Sequence, residues 1–393
     1  MKQILYFFPL NPVERNTGSI SRVLNLLKYF KSRRYNVDFI SKQDWGNYTP
    51  QSIAAFEQSE LADNLWVLKR KPVKKNPITY FFRYKLWHVL FERKLKLAKG
   101  SFPNHTTLHL RNQFDAILTK KKYDIIIISY AYWADLIKDN PHIGKSLTII
   151  DTHDLLSSQH QNDVGFDPGV ALADELRRLS HFRQIWTISA EETYFFRQFY
   201  KEKVRYIPMM MDDPGAGNTT FEQRDFDLIY VATDNPHNLA SAEWFFTNVY
   251  PLLPKTLRFC VIGTILGHIP ENLNNITRVP FAEDLHAYYH RSRVALCPML
   301  TGTGVKVKVV EAMAHGLPVV CSEAGVDGMP EKSNNGCLVA NDAAGFAEYI
   351  MQLLRDRELY EKQRRLGRDC FIRNFDTQEV YKKIDRALSD SLH

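Results

Sequence analysis

The stretch Thr301-Gly-Thr-Gly-Val-Lys-Val-Lys-Val-Val-Glu-Ala-Met-Ala-His-Gly-Leu-Pro-Val-Val320 decides the fold. An apolar run at 294–297 precedes it and reads as a strand. Two glycines follow, then two lysines, then Glu311 on a helical stretch, then a turn and a second strand at 317–321. A strand feeding a glycine loop and a helix start is suited to anions, because free backbone N–H groups and the helix dipole both favour negative charge. Gly302 and Gly304 allow close backbone approach. Lys306 and Lys308 add full charge, and Glu311, further along the helix, is placed to accept hydrogen bonds from hydroxyls. Phosphate at one end and polyol at the other describe a nucleotide sugar. The spacing is neither a Walker A loop nor a GxGxxG fingerprint.

Outward from this stretch, strands and helices alternate along the whole chain. Strands are predicted at 4–8, 37–41, 65–68, 124–129, 147–151, 185–189 and 204–207, then at 227–231, 258–262, 276–279, 294–297, 318–321 and 337–339. Helical patterns lie between them at 19–31, 80–99, 108–121, 170–181 and 191–200, then at 239–250, 282–290, 306–315, 343–355 and beyond 359. Sustained alternation with continuous apolar strands predicts parallel, doubly wound α/β sheets covered on both faces. The punctuated stretch Pro208-Met-Met-Met-Asp-Asp-Pro-Gly-Ala-Gly-Asn218 divides the pattern. The expected organisation is a Rossmann-like domain over 1–207, a linker over 208–225, a second Rossmann-like domain over 226–372, and a C-terminal helix over 373–393 that crosses back to the first domain.

The 393 residues fit two domains of ordinary size, and no run of about 18 apolar residues predicts a membrane-spanning helix. The first eight residues read as a buried strand rather than a signal sequence. Five cysteines without CxxC spacing read as buried thiols. The net charge is +7, and the segment 69–99 alone carries eleven Lys and Arg against one acid, Glu92, so the rest of the chain is net negative. Tyr80, Phe81, Phe82, Tyr84, Trp87 and Phe91 are interleaved with those cations. Basic and aromatic residues on one helix suit an anionic membrane surface, and they equally suit a core-packed helix with a solvated basic face. No nucleic-acid motif accompanies the patch.

These residues resemble the GT-B glycosyltransferases, in particular the retaining enzymes of glycosyltransferase family four, the "group 1" set. The resemblance rests on 302–320, with support from Ile150-Asp-Thr-His-Asp154, Trp186-Thr-Ile-Ser189, Ile207-Pro208 and Asn235-Pro-His-Asn238. It implies two Rossmann-like domains facing a deep interdomain cleft, with the acceptor on the first domain and the donor on the second.

It also implies roles. Glu311 would hold the ribose hydroxyls. Gly302, Thr303, Gly304, Val305, Lys306 and Lys308 would wrap the donor phosphates and sugar. His153 would face the donor sugar. Gly18, in Thr17-Gly18-Ser19, would lie near the phosphates, Asn238 would be among the donor contacts, and Val279 would meet the base. His153, Lys306 and Glu311 are thus the expected catalytic set, and Lys74, Lys75, Arg83 and Trp87 the expected membrane or acceptor surface.

Two departures stand out. Many members carry a glutamate where this chain has Thr303, and an Arg and Lys after the first strand of the second domain, where this chain reads Thr233-Asp-Asn-Pro-His-Asn238.

The function implied is metal-independent transfer of a hexose-like sugar, with retention, from a nucleotide sugar to a carbohydrate or lipid-linked glycan in surface polysaccharide or glycolipid synthesis. A uridine diphosphate sugar is preferred over a guanosine one. No cofactor or metal is expected, since Asp151, His153 and Asp154 form only a weak ligand pattern and Asp154 reads as a helix cap. The expected location is cytoplasmic, peripheral on the inner face of the membrane. A nucleotide-sugar epimerase and a catalytically silent nucleotide-binding module are the rival readings.

Overall fold

The computed structural model describes all residues except 14–16, 96–100, 216, 218, 303 and 391–393. The chain divides into two compact units. The first comprises Met1–Ile188, Glu192–Ile207 and the C-terminal residues from Asp385; the second comprises Ser189–Glu191 and Pro208–Ile384.

In the first unit the strands are β1 (Gln3–Phe7), β2 (Asn36–Lys42), β3 (Asn64–Leu68), β4 (Ile125–Ser129), β5 (Leu147–Asp151), β6 (Gln184–Thr187) and β7 (Val204–Tyr206). They form one sheet in the order β3-β2-β1-β4-β5-β6-β7, every pair parallel. The β4 run Ile-Ile-Ile-Ile-Ser is buried throughout because helices cover both faces. Strand order reverses between β1 and β4, so the chain ends after β1, β4 and β5 come together at the switch point of the sheet.

In the second unit the strands are β8 (Phe226–Val231), β9 (Phe259–Ile262), β10 (Ile276–Val279), β11 (Ser292–Cys297), β12 (Val319–Cys321) and β13 (Cys337–Val339), in the order β10-β9-β8-β11-β12-β13, again all parallel. Two apolar layers fill its faces. One is built on Val309, Val310 and Met313 of the helix Val307–Ala314, the other on Phe245, Phe346 and Ile350. All five cysteines are buried free thiols, four of them in strands and Cys370 in the helix Arg357–Asn374.

Several expectations need correction. The stretch 208–225 is not a free linker: from Pro208 it belongs to the second unit, and Met211 bridges in parallel to Asp376. The C-terminal helix Thr377–Ser389 leaves the second unit only at Asp385, not at 373. Asp385 there binds Tyr29 and Arg33 of the first unit's helix Gly18–Ser32.

The helix expected at 80–99 begins earlier, at Pro77, where the Asn76 side chain accepts from Ile78 and Thr79 N–H groups. It widens into a π turn at Phe81–Lys85 and continues as Leu86–Lys94. Its expected end at 96–99 lies outside the described residues. A helix at Pro50–Gln58 was not anticipated, although its signal is present: Thr49 and Ser52 form a capping box and Pro50 occupies the first turn. The expected helix at 282–290 starts only at Leu285, after Asp284 caps it. No helix among the described residues is long and apolar enough to cross a membrane.

Candidate functional site

Each unit carries its own cluster of the residues singled out above. In the first unit the cluster lies at the carboxyl ends of β4 and β5. His153 follows β5 and is buried, with its Nε2 3.0 Å from the Ser129 hydroxyl and 3.1 Å from an Asp151 carboxylate oxygen. The Tyr130 ring stacks on it, centroids 4.3 Å apart. Both residues have positive φ, +66° for Tyr130 and +61° for His153, a region that bulky side chains rarely enter. Two neighbouring strained residues held face to face mark a place where the fold over-determines the backbone, as functional sites commonly do.

Arg22 completes the cluster from the helix Gly18–Ser32. It is buried, binds Asp151 with Nε and Nη2, and donates Nη1 to the Ile207 carbonyl at 2.7 Å. Burial raises the Asp151 carboxyl pKa, but the Arg22 guanidinium and His153 lower it by more, and the net direction is down. Asp151 is therefore a fixed anion that orients His153. Arg22 was not anticipated. Its signal was a cation on the apolar stripe of the helix, in line with Leu26 and Tyr29.

Gly18 stands exposed at the start of that helix, where an added Cβ would meet nothing within 4 Å. Asp154 does not cap the helix Leu156–Gln159. The Leu156 and Ser157 N–H groups are taken by the Glu175 carboxylate instead, and burial raises the Asp154 pKa.

In the second unit the glycine loop runs from β11 to the helix Val307–Ala314. Gly302 and Gly304 adopt φ of +103° and +74°, which a side chain would strain. Gly328 backs the loop so closely that a Cβ there would lie 2.5 Å from the Val305 nitrogen. Thr303 lies outside the described residues.

Lys306 is buried and its Nζ donates to the Gly302 and Gly304 carbonyls at 2.9 and 2.8 Å. Lys308 donates to the Asn238 side-chain oxygen at 2.9 Å and lies 5.4 Å from the Tyr230 ring centroid. Burial pushes both ammonium groups below their ordinary pKa. Among the described residues neither forms a salt bridge. Both cations are hydrogen-bonded only to neutral acceptors, with Asp327 acting on Lys306 and Glu311 on Lys308 without direct pairing, an arrangement suited to a phosphate.

Asn238 reaches this place because Asn235 caps the helix Pro236–Trp244, and the Asn238 amide also contacts Thr233. His237 of the same turn hydrogen-bonds Thr301 at 2.8 Å. The turn that lacks the family's Arg and Lys therefore contacts the glycine loop directly, with Lys308 as the cation between them.

Glu311 is half-buried, and its carboxylate accepts from the Tyr289 hydroxyl at 3.1 Å. Burial raises its pKa against the opposing pull of Tyr289, His286 and Lys308. Tyr289 was not anticipated either; it was legible only as an apolar position of the preceding helix. Val279 is half-buried at the end of the edge strand β10, and its carbonyl accepts from Gly263 N–H at 2.9 Å.

The family of glycosyl transferases group 1 matches residues 225–356, which hold this constellation. That stretch of the second unit is similar to the group 1 glycosyl transferases. Across the whole chain the fold is GT-B. Sucrose-phosphate synthase from Thermosynechococcus elongatus superposes with a TM-score of 0.68 at 15% identity, covering 99% of both chains. Anabaena HepE in complex with UDP-glucose superposes at 0.66 with 13% identity, covering 99% of this chain and 100% of that one. An uncharacterized 44.6 kDa protein in the cps region of Klebsiella pneumoniae is 27% identical over 180 residues. That match covers 42% of this chain and 46% of the relative, so the chain spans about half the length of the curated relative it matches. The matched stretch contains Gly302, Gly304, Val305, Lys306, Lys308, Glu311, Asn238 and Val279, whereas His153 and Gly18 belong to the first unit.

The cations and aromatics at 73–90 remain at the surface of the first unit. Lys74, Lys75 and Arg83 are exposed, and Ile78, Phe82 and Trp87 are 70%, 62% and 56% exposed. A cavity of about 530 Å³ opens beside them, lined by Val73, Lys75, Tyr80, Arg83, Tyr84 and His109 among others. The His109 Nε2 is buried with no hydrogen-bond partner among the described residues. Among the described residues no group of three His, Cys, Asp or Glu is placed to hold a metal ion.

Proposed function

We propose that this protein transfers a sugar, with retention, from a uridine diphosphate sugar to a glycan or lipid-linked acceptor in the assembly of a surface polysaccharide. The observation that carries the reading is a pair of lysines, the buried Lys306 and the half-buried Lys308, held by uncharged acceptors beside a glycine loop. In this reading they take the donor diphosphate and stabilise the charge that develops on it as the glycosidic bond breaks, with no metal required. Glu311, steadied by Tyr289, accepts from the ribose hydroxyls. Val279 lies along the base. His153, its ring set by Asp151, Ser129 and Tyr130, is the first unit's candidate for contacting a sugar.

The choice of uridine draws support from HepE, whose structure holds UDP-glucose, and the polysaccharide role from the relative in a cps region. The acceptor reading rests on the first unit's exposed Ile78, Phe82 and Trp87 beside Lys74, Lys75 and Arg83, a surface suited to a lipid-linked acceptor at the cytoplasmic leaflet.

The test is a thermal-shift screen against UDP, GDP, ADP, CMP and dTDP with their common sugars, followed by sugar transfer in EDTA. A selective shift by UDP or a UDP-sugar that disappears in Glu311→Ala, with EDTA-resistant transfer, supports the proposal. Turnover of the nucleotide sugar without any acceptor would identify an epimerase instead. Binding without turnover would identify a silent module.

A further inference from the structure

At the amino end of β8, Arg224 is only 2% exposed, and among the described residues no carboxylate pairs with it. One guanidinium nitrogen donates to the Ser292 carbonyl, and its Nε is buried with no hydrogen-bond partner among the described residues. Burial pushes its pKa down. An unpaired buried cation strongly disfavours the folded state unless something of opposite charge meets it.

The surroundings are organised to receive such a partner. The helix Arg357–Asn374 presents Arg357, Tyr360, Glu361 and Arg364 at spacings of three, four and seven, which place them on one face. These four and Arg224 line a cavity of about 290 Å³ together with Thr219, Thr220 and Phe221. Tyr360 is 1% exposed, and its hydroxyl, like the Arg224 Nε, is buried with no partner among the described residues. Arg357 packs 4.4 Å from the Phe221 ring centroid, which sets its guanidinium at the rim, and it shares Glu361 with Arg364. Among the described lining residues, three guanidinium groups therefore stand against one carboxylate. Two orphaned donors, one on an arginine and one on a tyrosine, belong to the same cavity.

We propose that this cavity is a second anion site, for a small phosphate-bearing molecule, separate from the donor site. The planar guanidinium matches phosphate oxygens in pairs, and the Tyr360 hydroxyl and the two threonines supply further neutral donors. Its position separates it from the glycine loop. Arg224 precedes β8 and Thr233 follows it, so a strand of six residues, roughly 20 Å, lies between the two ends. Inorganic phosphate and a sugar phosphate share the recognised group, and the volume admits either. The site stands whether or not the transferase reading holds.

The test uses the full chain in buffer free of phosphate and sulfate, titrated with inorganic phosphate, glucose 6-phosphate and UDP. Inorganic phosphate is expected to raise the melting temperature. The double variant Tyr360→Phe/Arg357→Ala, which leaves Arg224 and the fold in place, should weaken phosphate binding on the order of ten- to a hundredfold and keep the UDP response. Arg224→Gln should lose phosphate binding altogether, while Lys308→Ala should retain it. Tighter binding of glucose 6-phosphate than of phosphate would identify a sugar phosphate as the ligand; equal binding would identify phosphate itself. The proposal is overturned if phosphate gives no shift in the unaltered protein. It is equally overturned if the shift survives the double variant and disappears in Lys308→Ala, because phosphate would then be occupying the donor loop.

Discussion

The Arg22 guanidinium clasps the Asp151 carboxylate, with Nε 2.9 and 3.0 Å from its two oxygens and Nη2 2.6 Å from one of them, although 129 residues separate the two. Both are buried, and His153 leans on the same carboxylate. Removing one partner of such a pair leaves an uncompensated charge. Arg22→Met is therefore expected to destabilise the protein by about 3–5 kcal/mol, measured by urea unfolding at neutral pH. The Asp151 pKa is lowered on folding, so its contribution is present above the ordinary carboxylate range and is lost as pH falls through the folded value. A loss under 1 kcal/mol would show that the pair is incidental.

Lys308 carries the opposite signature. Its ammonium is pushed below its ordinary pKa, which makes the charge a net cost to the folded state. Lys308→Met keeps the aliphatic stem and removes that cost. Its melting temperature should match or exceed that of the unaltered protein, while kcat should fall about a hundredfold or more. Unchanged turnover in this variant would rule out a role on the diphosphate.

Tyr289 offers a narrower test of Glu311. Tyr289→Phe removes a single hydrogen bond from the carboxylate and leaves the ring that stacks on His315 at 4.7 Å. Donor KM should rise severalfold with kcat nearly unchanged, and stability should drop by about 1 kcal/mol. An equal fall in kcat would instead place Glu311 in the transition state.

His315 predicts a pH dependence. It is buried against His286, His290 and Arg368, and its pKa is lowered from 6.5 to about 4, chiefly by burial. The unfolded chain then binds the proton that the folded chain refuses. Stability is full above pH 6.5 and declines as pH falls from 6.5 toward 4, by about 3 kcal/mol in all. His315→Gln should flatten the urea-unfolding profile over that window. Parallel profiles for the two proteins would contradict the assignment.

The first unit's surface makes a separate prediction. Lys74→Glu/Lys75→Glu/Arg83→Glu should weaken sedimentation with vesicles containing anionic phosphatidylserine by about 1 kcal/mol per charge, while binding to neutral vesicles stays low in both proteins. Undiminished binding would remove the membrane from the proposed function.

Most of the architecture was legible in the chain because a buried parallel strand must be a continuous apolar run. The runs at 125–128, 147–150 and 294–297 have no other reading between helical periods. The donor loop was legible for a related reason: two glycines, two lysines and a glutamate at fixed spacing are local chemistry, and local geometry follows from local sequence. The capping box at Thr49 was equally local and was overlooked.

What only the tertiary structure decided were relationships between distant residues. Spacing does not reveal that Arg22 turns inward to Asp151, that Tyr130 and His153 stack with strained backbones, or that Asn238 holds Lys308. Nor does it reveal that Arg224 is buried without a salt bridge to any carboxylate among the described residues. Periodicity states which face of an element is apolar, and it sets strand and helix by the period that apolar residues keep. The partner of a buried charge depends instead on which elements the sheet order places side by side, and that order is settled only when the whole core packs.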